Sequence, residues 1–190
     1  MIGQASPAVE ERVSLARSGA AQLRAVYGEH FAFVVRTLLR LGAQSADADD
    51  LAHDVFLVVA RRLADYDRSR PMRPWLFGMA LRVMSEHRRT IRTRREVALV
   101  AEGPADGRGA DDRMAEAEAR ELVIQVLLRL DLDQRAVLVM HDLEGFSMPE
   151  VAAALSIPLN TGYSRLRAAR ERFAQGARAA RGAEPGKEEP

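Results

Sequence analysis

Apolar residues in this chain recur at three- and four-residue steps and almost never alternate, a period that belongs to helices and leaves no run that reads as a strand. Val26, His30, Phe33 or Val34, Thr37 and Leu41 form one stripe of a helix expected over about 21–41, and Gly42 stands where a C-terminal glycine ends a helix. Asp47 is the expected N-cap of the next helix, with Asp49 and Asp50 in its first turn complementing the dipole and Leu51, Val55, Val58, Val59 and Leu63 along its length. Pro71 and Pro74 break the pattern before a helix expected over about 75–92, with Trp75 or Leu76, Met79, Ala80, Val83 and His87 facing inward.

The stretch from Val100 to Arg113 is rich in Gly, Ala and Asp, lacks any period and reads as a linker. Helical pattern resumes near Met114 with Leu122, Val123, Val126, Leu127 and Leu130, then Ala136, Val137, Met140 and Leu143. The expected organisation is therefore all-α, in two small helical domains joined by a flexible linker. An N-terminal extension covers 1–20, a helical domain 21–95, an acidic linker 96–119, a second helical domain 120–175, and a disordered, low-complexity tail 176–190.

Composition narrows the chemistry. With 190 residues, 47% hydrophobic and 29% charged, the chain has the apolar content of a folded protein. The absence of cysteine excludes disulfides, thiolate catalysis, zinc ribbons and iron–sulfur clusters, so a metal would have to rest on the 4 His and the carboxylates. No apolar run approaches the roughly 20 residues that span a bilayer. Glu10, Glu11, Arg12 and Arg17 interrupt the start where a signal peptide would be apolar, so a cytoplasmic location without membrane insertion is expected. A net charge of +1 conceals segregation of sign, because nine arginines lie between Arg68 and Arg95 against one acid, Glu86, while the acids Glu96, Glu102, Asp106, Asp111, Asp112, Glu116, Glu118 and Glu121 follow. A second arginine group stands at Arg165, Arg167, Arg170, Arg172 and Arg178.

The sharpest local signal is GFSMPEVAAALSIPLNTGYSRLRAARERF, residues 145–173. Ser147 and Glu150 have the spacing of a capping box, and a short helix with Val151, Ala152 and Leu155 on one face runs into the tight turn SIP. A second helix begins near Asn160 or Thr161. This is the pattern of a helix-turn-helix, whose second helix would present Asn160, Thr161, Tyr163, Ser164, Arg165 and Arg167 at the end that enters a major groove. The bland reading is an amphipathic hairpin with a solvated arginine face. A second constellation is the arginine stretch from Arg68 to Arg95 with Tyr66, Trp75 and Phe77 beside those arginines, the mixture that holds unstacked single-stranded bases. The same aromatics at helical spacing also suit a core.

The segments DADDLAHDVFLVVARRLADYD and RPWLFGMALRVMSEHRR resemble conserved region two of the extracytoplasmic-function (ECF) sigma factors, and LLRLDLDQRAVLVMHDLEGFSMPEVAAALSIPLNTGYSRLRAARERF resembles their region four. The resemblance covers about 27–95 and 120–173. It implies a non-catalytic initiation subunit without a cofactor, partnered by the RNA polymerase core through the β′ coiled coil and the β flap, by promoter DNA, and by an anti-sigma factor. It further implies core binding at Asp50, Leu51, Asp54, Val55 and Phe56, melting and recognition of the downstream promoter element at Trp75, Arg82, Glu86, His87, Arg88 and Arg89, and upstream-element recognition by the helix that begins near Asn160. Arg82 stands where the family often has asparagine, Gly162 and Tyr163 where a valine and a basic residue are common, and His53 where glutamine is common, so the base preferences do not transfer.

Three other readings draw on the same residues. A helix-turn-helix regulator with a ligand-sensing N-terminal half would bind DNA without polymerase, but has no need for a basic, aromatic-bearing helix there. An enzyme built on Glu86 and His87, or on His53 and Asp54, is disfavoured because adjacent helical residues do not face one another. A helical adaptor that binds only protein is the remaining alternative.

Overall fold

The structure, a computed structural model, describes residues 7–98 and 114–182, with side chains over 19–93 and 120–180. Among these residues there are seven α-helices and no strand. The elements are α1 (Pro7–Leu41), α2 (Ala48–Arg62) with a 3₁₀ turn at Leu63–Asp65, α3 (Met72–Ala98), α4 (Met114–Leu128), α5 (Leu132–Leu138) continued by a π-helical turn at Val139–Leu143, α6 (Met148–Leu155) and α7 (Leu159–Gly182). None of them is long and apolar enough to cross a membrane.

Helices α1, α2 and α3 form the first unit. The stripe expected on α1 is inside: Val26, His30, Phe33, Val34, Thr37, Leu38 and Leu41 are all buried. Gly42 takes φ +101° and its N–H bonds to Leu39 O at 3.0 Å, with Ala43 N–H on Leu38 O at 2.9 Å, so the left-handed glycine closes the helix as anticipated. Asp47 occupies the N-cap of α2 without a side-chain cap bond, its carboxylate lying 3.9 Å from His87 Nε2 instead.

Several boundaries move outward. Helix α1 begins at Pro7, inside the expected extension, since proline suits a first helical position and the alanine-rich sequence after it has high helix propensity. Helix α3 begins at Met72, ahead of Pro74, which is tolerated because the first-turn N–H groups have no intrahelical partner. Its end and the start of α4 take up the two ends of the expected linker, whose centre, 99–113, lies outside the described residues. Helix α7 continues to Gly182, so the first part of the expected tail is helical, and 183–190 lie outside the described residues. Gly176 explains the continuation: a Cβ there would sit 2.9 Å from a methyl of Val126, so α7 is packed closely on α4 at this point.

Helices α4 to α7 form the second unit. Val126, Leu127, Leu130, Ala136, Val137, Met140, Val151, Leu166 and Ala169 are among its buried residues. The two units do not stand apart. Their buried residues form one continuous cluster, joined where α6 packs on α3 and where α4 and α5 meet α1.

Arg135, buried to 2% exposure on α5, ties this junction together. Its guanidinium donates to Leu127 O at 2.8 Å, Leu128 O at 2.8 Å, Leu130 O at 2.9 Å and, across the junction, Leu41 O at 2.5 Å. The carbonyls that end α1 and α4 thus find one shared donor group. Burial pushes the Arg135 guanidinium down to about 10, the Arg88 charge adding to the effect and Asp131 opposing it, which leaves the group charged at neutral pH.

Candidate nucleic-acid interface

The helix-turn-helix forms as the sequence anticipates, with local chemistry that fixes its angle. Ser147 and Glu150 make the capping box, in which the Ser147 N–H donates to Glu150 Oε2 at 2.7 Å and its hydroxyl donates to the same oxygen at 2.6 Å. These two donors hold the Glu150 carboxyl below its ordinary range. Ser156 closes α6 in the left-handed conformation, φ 56° and ψ 45°, and Ile157 N–H bonds back to Ala152 O at 3.0 Å. Gly162 is the hinge of the packing: a Cβ there would lie 2.6 Å from Met148 Sδ, so glycine lets α7 lie directly on α6. The cost in helix propensity that Gly162 carries on sequence grounds is offset by this close approach.

The N-terminal edge of α7 then faces solvent. Asn160, Ser164 and Arg167 are exposed, Tyr163 is 52% exposed, and Thr161 is half-buried with its carbonyl accepting the Ser164 hydroxyl at 3.0 Å. Arg165 is less available than the sequence suggests, because its guanidinium pairs with Asp133 at 2.7 Å. Further along α7, Arg170 makes a two-pronged bond to Asp142 at 2.7 and 2.9 Å and Arg172 pairs with Asp131 at 2.7 Å, so these two arginines brace the unit. The Arg170 hydrogen bonds hold Asp142 below its ordinary carboxylate range.

On α3 the expected cluster separates into two sets. Arg82, Arg88 and Arg89 are exposed on the solvent side, Glu86 pairing with Arg89 at 3.1 Å, while His87 is partly buried beside Asp47. Trp75 is half-buried and packs at 4.9 Å and 47° on Tyr66, whose hydroxyl donates to Arg70 O. Asp67 accepts from the Ser69 N–H and hydroxyl and lies 3.2 Å from Arg70, so the segment between the 3₁₀ turn and α3 is a hydrogen-bonded turn. Phe77 does not join this surface. It is fully buried, and belongs to the core rather than to any base-stacking set.

On helix α2 the residues expected at the core-binding surface divide by burial. Leu51, Val55 and Phe56 are buried at 5%, 0% and 5% exposure and seat the helix on its neighbours. Period 3.6 explains it, since the apolar residues of an amphipathic helix are the ones turned inward. The outer face carries Asp50, His53, Asp54 and Leu57, the last 58% exposed. His53 is oriented by Asp49 O at 2.7 Å from Nδ1 and by the Tyr27 hydroxyl at 3.1 Å from Nε2, beside an aromatic group of Tyr27, Phe31 and Phe56. Leu57 was missed on sequence grounds, although an apolar residue off the stripe was the available signal. No group of three His, Asp or Glu is placed to hold a metal among the described residues.

Comparison with known proteins adds the family. Residues 26–95 match the family described as Sigma-70 region 2, and residues 120–173 the one described as Sigma-70, region 4. The chain is 32% identical over 152 residues to the ECF RNA polymerase sigma factor SigL of Mycobacterium tuberculosis, covering 80% of this chain and 86% of that one. It is 29% identical over 186 residues to the RNA polymerase sigma factor NccH of Alcaligenes xylosoxydans xylosoxydans, covering 88% and 94%. Its fold is similar to that of the sigma factor RpoE of Bartonella quintana, solved in complex with the anti-sigma factor NepR, with a TM-score of 0.60 at 20% identity over 83% of this chain and 97% of that one.

Proposed function

The chain belongs to the ECF RNA polymerase sigma factors, and from that premise we propose how its surfaces divide the work of initiation. The protein is an RNA polymerase sigma factor, acting where the polymerase acts, in the cytoplasm. The outer face of α2, with Asp50, His53, Asp54 and Leu57, docks on the polymerase core at the β′ coiled coil, while buried Leu51, Val55 and Phe56 keep that face in shape. The Trp75 corner and the exposed arginines of α3 hold the melted downstream element, arginine tracking the phosphates and aromatic faces taking unstacked bases. Glu86, paired with Arg89, and His87, beside Asp47, keep the basic face in register.

The single observation that carries the reading is the exposed edge of α7, where Asn160, Tyr163, Ser164 and Arg167 stand on a helix braced from behind. Amide, hydroxyl and guanidinium groups at the N-terminal end of a recognition helix read base edges in the major groove and bind the phosphates beside it. Thr161 and Arg165 flank this edge and help set it. The apolar side of the same unit rests on the β flap, the core enzyme supplies all bond-making chemistry, and the chain contributes no catalytic residue or cofactor. An anti-sigma protein holds the free chain in check, as NepR is bound to RpoE of Bartonella quintana.

Reconstitution tests the proposal. Core polymerase mixed with the purified chain on fragmented genomic DNA should produce transcripts from a small set of start sites that the core alone does not use, with yield falling as salt rises because phosphate contacts release counterions. Tight site-specific binding by the free chain, with no effect on the polymerase, would replace this reading with that of an independent DNA-binding regulator.

A further inference from the structure

The arginines of α7 do not stand equal before a duplex, because the fold has already committed most of them. Arg165 pairs with Asp133 of α5 at 2.7 Å, and Arg172 pairs with Asp131 at 2.7 Å and bonds Gln134 at 2.9 Å. Both prongs of Arg170 lie on the two oxygens of Asp142, so that guanidinium has no fork left to offer a base. Arg167 and Arg178 are exposed and have no carboxylate partner among the described residues. Arg178 stands about 16 Å further along the helix, well beyond the N-terminal end that enters a groove.

Helical geometry then isolates Arg167. At about 3.6 residues per turn it falls on one arc of about 100° with Asn160, Tyr163 and Ser164, all exposed, whereas Arg165, two positions away, falls on the opposite side. One turn past Arg167 on the same row, exposed Glu171 carries the charge that phosphate rejects, so the edge able to lie against a duplex ends at Arg167. Resting on the reading just given, we infer that Arg167 selects a guanine in the upstream promoter element, that Asn160 selects an adenine near it, and that Arg165, Arg170 and Arg172 take no part in base choice. Guanine presents two acceptors, O6 and N7, to the major groove, which a free guanidinium fork meets with two donors; adenine presents an acceptor and a donor, which a side-chain amide meets. Asn160 and Arg167 are about 10 Å apart along the helix axis, which places their two bases roughly two or three base pairs apart. The basic residue that the family often carries at position 163 is thus replaced, in this chain, by one a single turn later.

The test starts from one promoter used by the reconstituted holoenzyme, randomises its upstream element, and sequences the duplexes that the holoenzyme retains. The parent should enrich guanine at one position about 5- to 150-fold over other bases, the range of a good bidentate pair, and adenine two or three pairs away. With Arg167→Ala the guanine preference should vanish while the adenine preference stays, and Asn160→Ala should do the reverse. Arg165→Gln should weaken retention of all duplexes alike and leave both preferences in place, since it loosens the brace on Asp133 without touching a base. A guanine preference unchanged in Arg167→Ala, or lost in Arg165→Gln, overturns the inference. So does an Arg167→Ala holoenzyme that holds every duplex more weakly by one factor, with a salt slope shallower by about 1, because that is the loss of a phosphate anchor. In each of these outcomes the parent still initiates and the sigma assignment stands. A parent chain that starts no transcript with core strikes the assignment, and the inference with it.

Discussion

Replacing Arg135 by methionine keeps the aliphatic stem and deletes the guanidinium that serves four carbonyls. Three of its bonds, to Leu41, Leu127 and Leu130, are buried and the fourth, to Leu128, is partly so. A buried acceptor left without a donor costs about 1–3 kcal/mol, so the three together set a gross loss of about 3–9 kcal/mol. Against this, a charge that burial holds well below the usual arginine range no longer has to be desolvated, which returns a few kcal/mol. The net expectation is a destabilisation of about 2–5 kcal/mol, or roughly 5–15 °C in Tm for a chain of this size. Arg135→Lys should be intermediate, because one ammonium cannot span four carbonyls in fixed directions. Urea unfolding followed by circular dichroism measures the difference. A methionine variant within 1 kcal/mol of the parent would refute the claim that this arginine organises the junction.

Three further substitutions or conditions test other links. Thr37 is fully buried on α1 and its hydroxyl has no hydrogen-bond partner, so Thr37→Val, equal in shape, should stabilise the chain by about 1 kcal/mol in the same unfolding assay; a loss would mean that the hydroxyl is satisfied. Asp142 and Glu150 are both held below their ordinary values of 3.8 and 4.5, so their contribution is complete above those values and drains away as pH falls through the lowered ones. Urea midpoints should therefore drop steeply below about pH 4, and Arg170→Gln, which releases Asp142, should flatten that drop; parallel curves would contradict the linkage. Leu57→Asp should weaken core binding about tenfold with the fold intact, whereas Phe56→Ala should cost about 3–5 kcal/mol of stability first, so a fully folded Phe56→Ala that still fails to bind core would return Phe56 to the contact surface.

The helices and the helix-turn-helix were legible because their signals are local. The α1 stripe, the Gly42 stop, the Ser147–Glu150 box and the SIP turn each depend on residues within a few positions of one another. What was hidden depends on distant backbone. Arg135 looks like any surface arginine in LDLDQRAVL, and only the fold reveals that carbonyls from α1 and α4 converge on it. Gly162 reads as a weak point in its helix, yet a Cβ there would meet Met148 Sδ at 2.6 Å, and at Gly78 a Cβ would meet the backbone oxygen of Ala154 at the same distance. Helix ends were drawn too short wherever alanine-rich sequence followed, since low complexity and helix propensity look alike without the Val126 contact that settles Gly176. The residues of α2 show the limit of a family correspondence: it points to the helix as a whole, but periodicity decides which of its residues face outward.

The central claim is that α3 and α7 of one chain grip one promoter at two separate places while attached to polymerase. Because the sequence contains no cysteine, an iron chelate tethered at Tyr163→Cys or at Arg82→Cys cleaves DNA only near that position. In the initiation complex the Tyr163 tether should cut duplex DNA upstream and the Arg82 tether should cut near the start site, in the region that opens. Cleavage by both tethers at the same position, or by neither when polymerase and promoter are joined, would contradict the account.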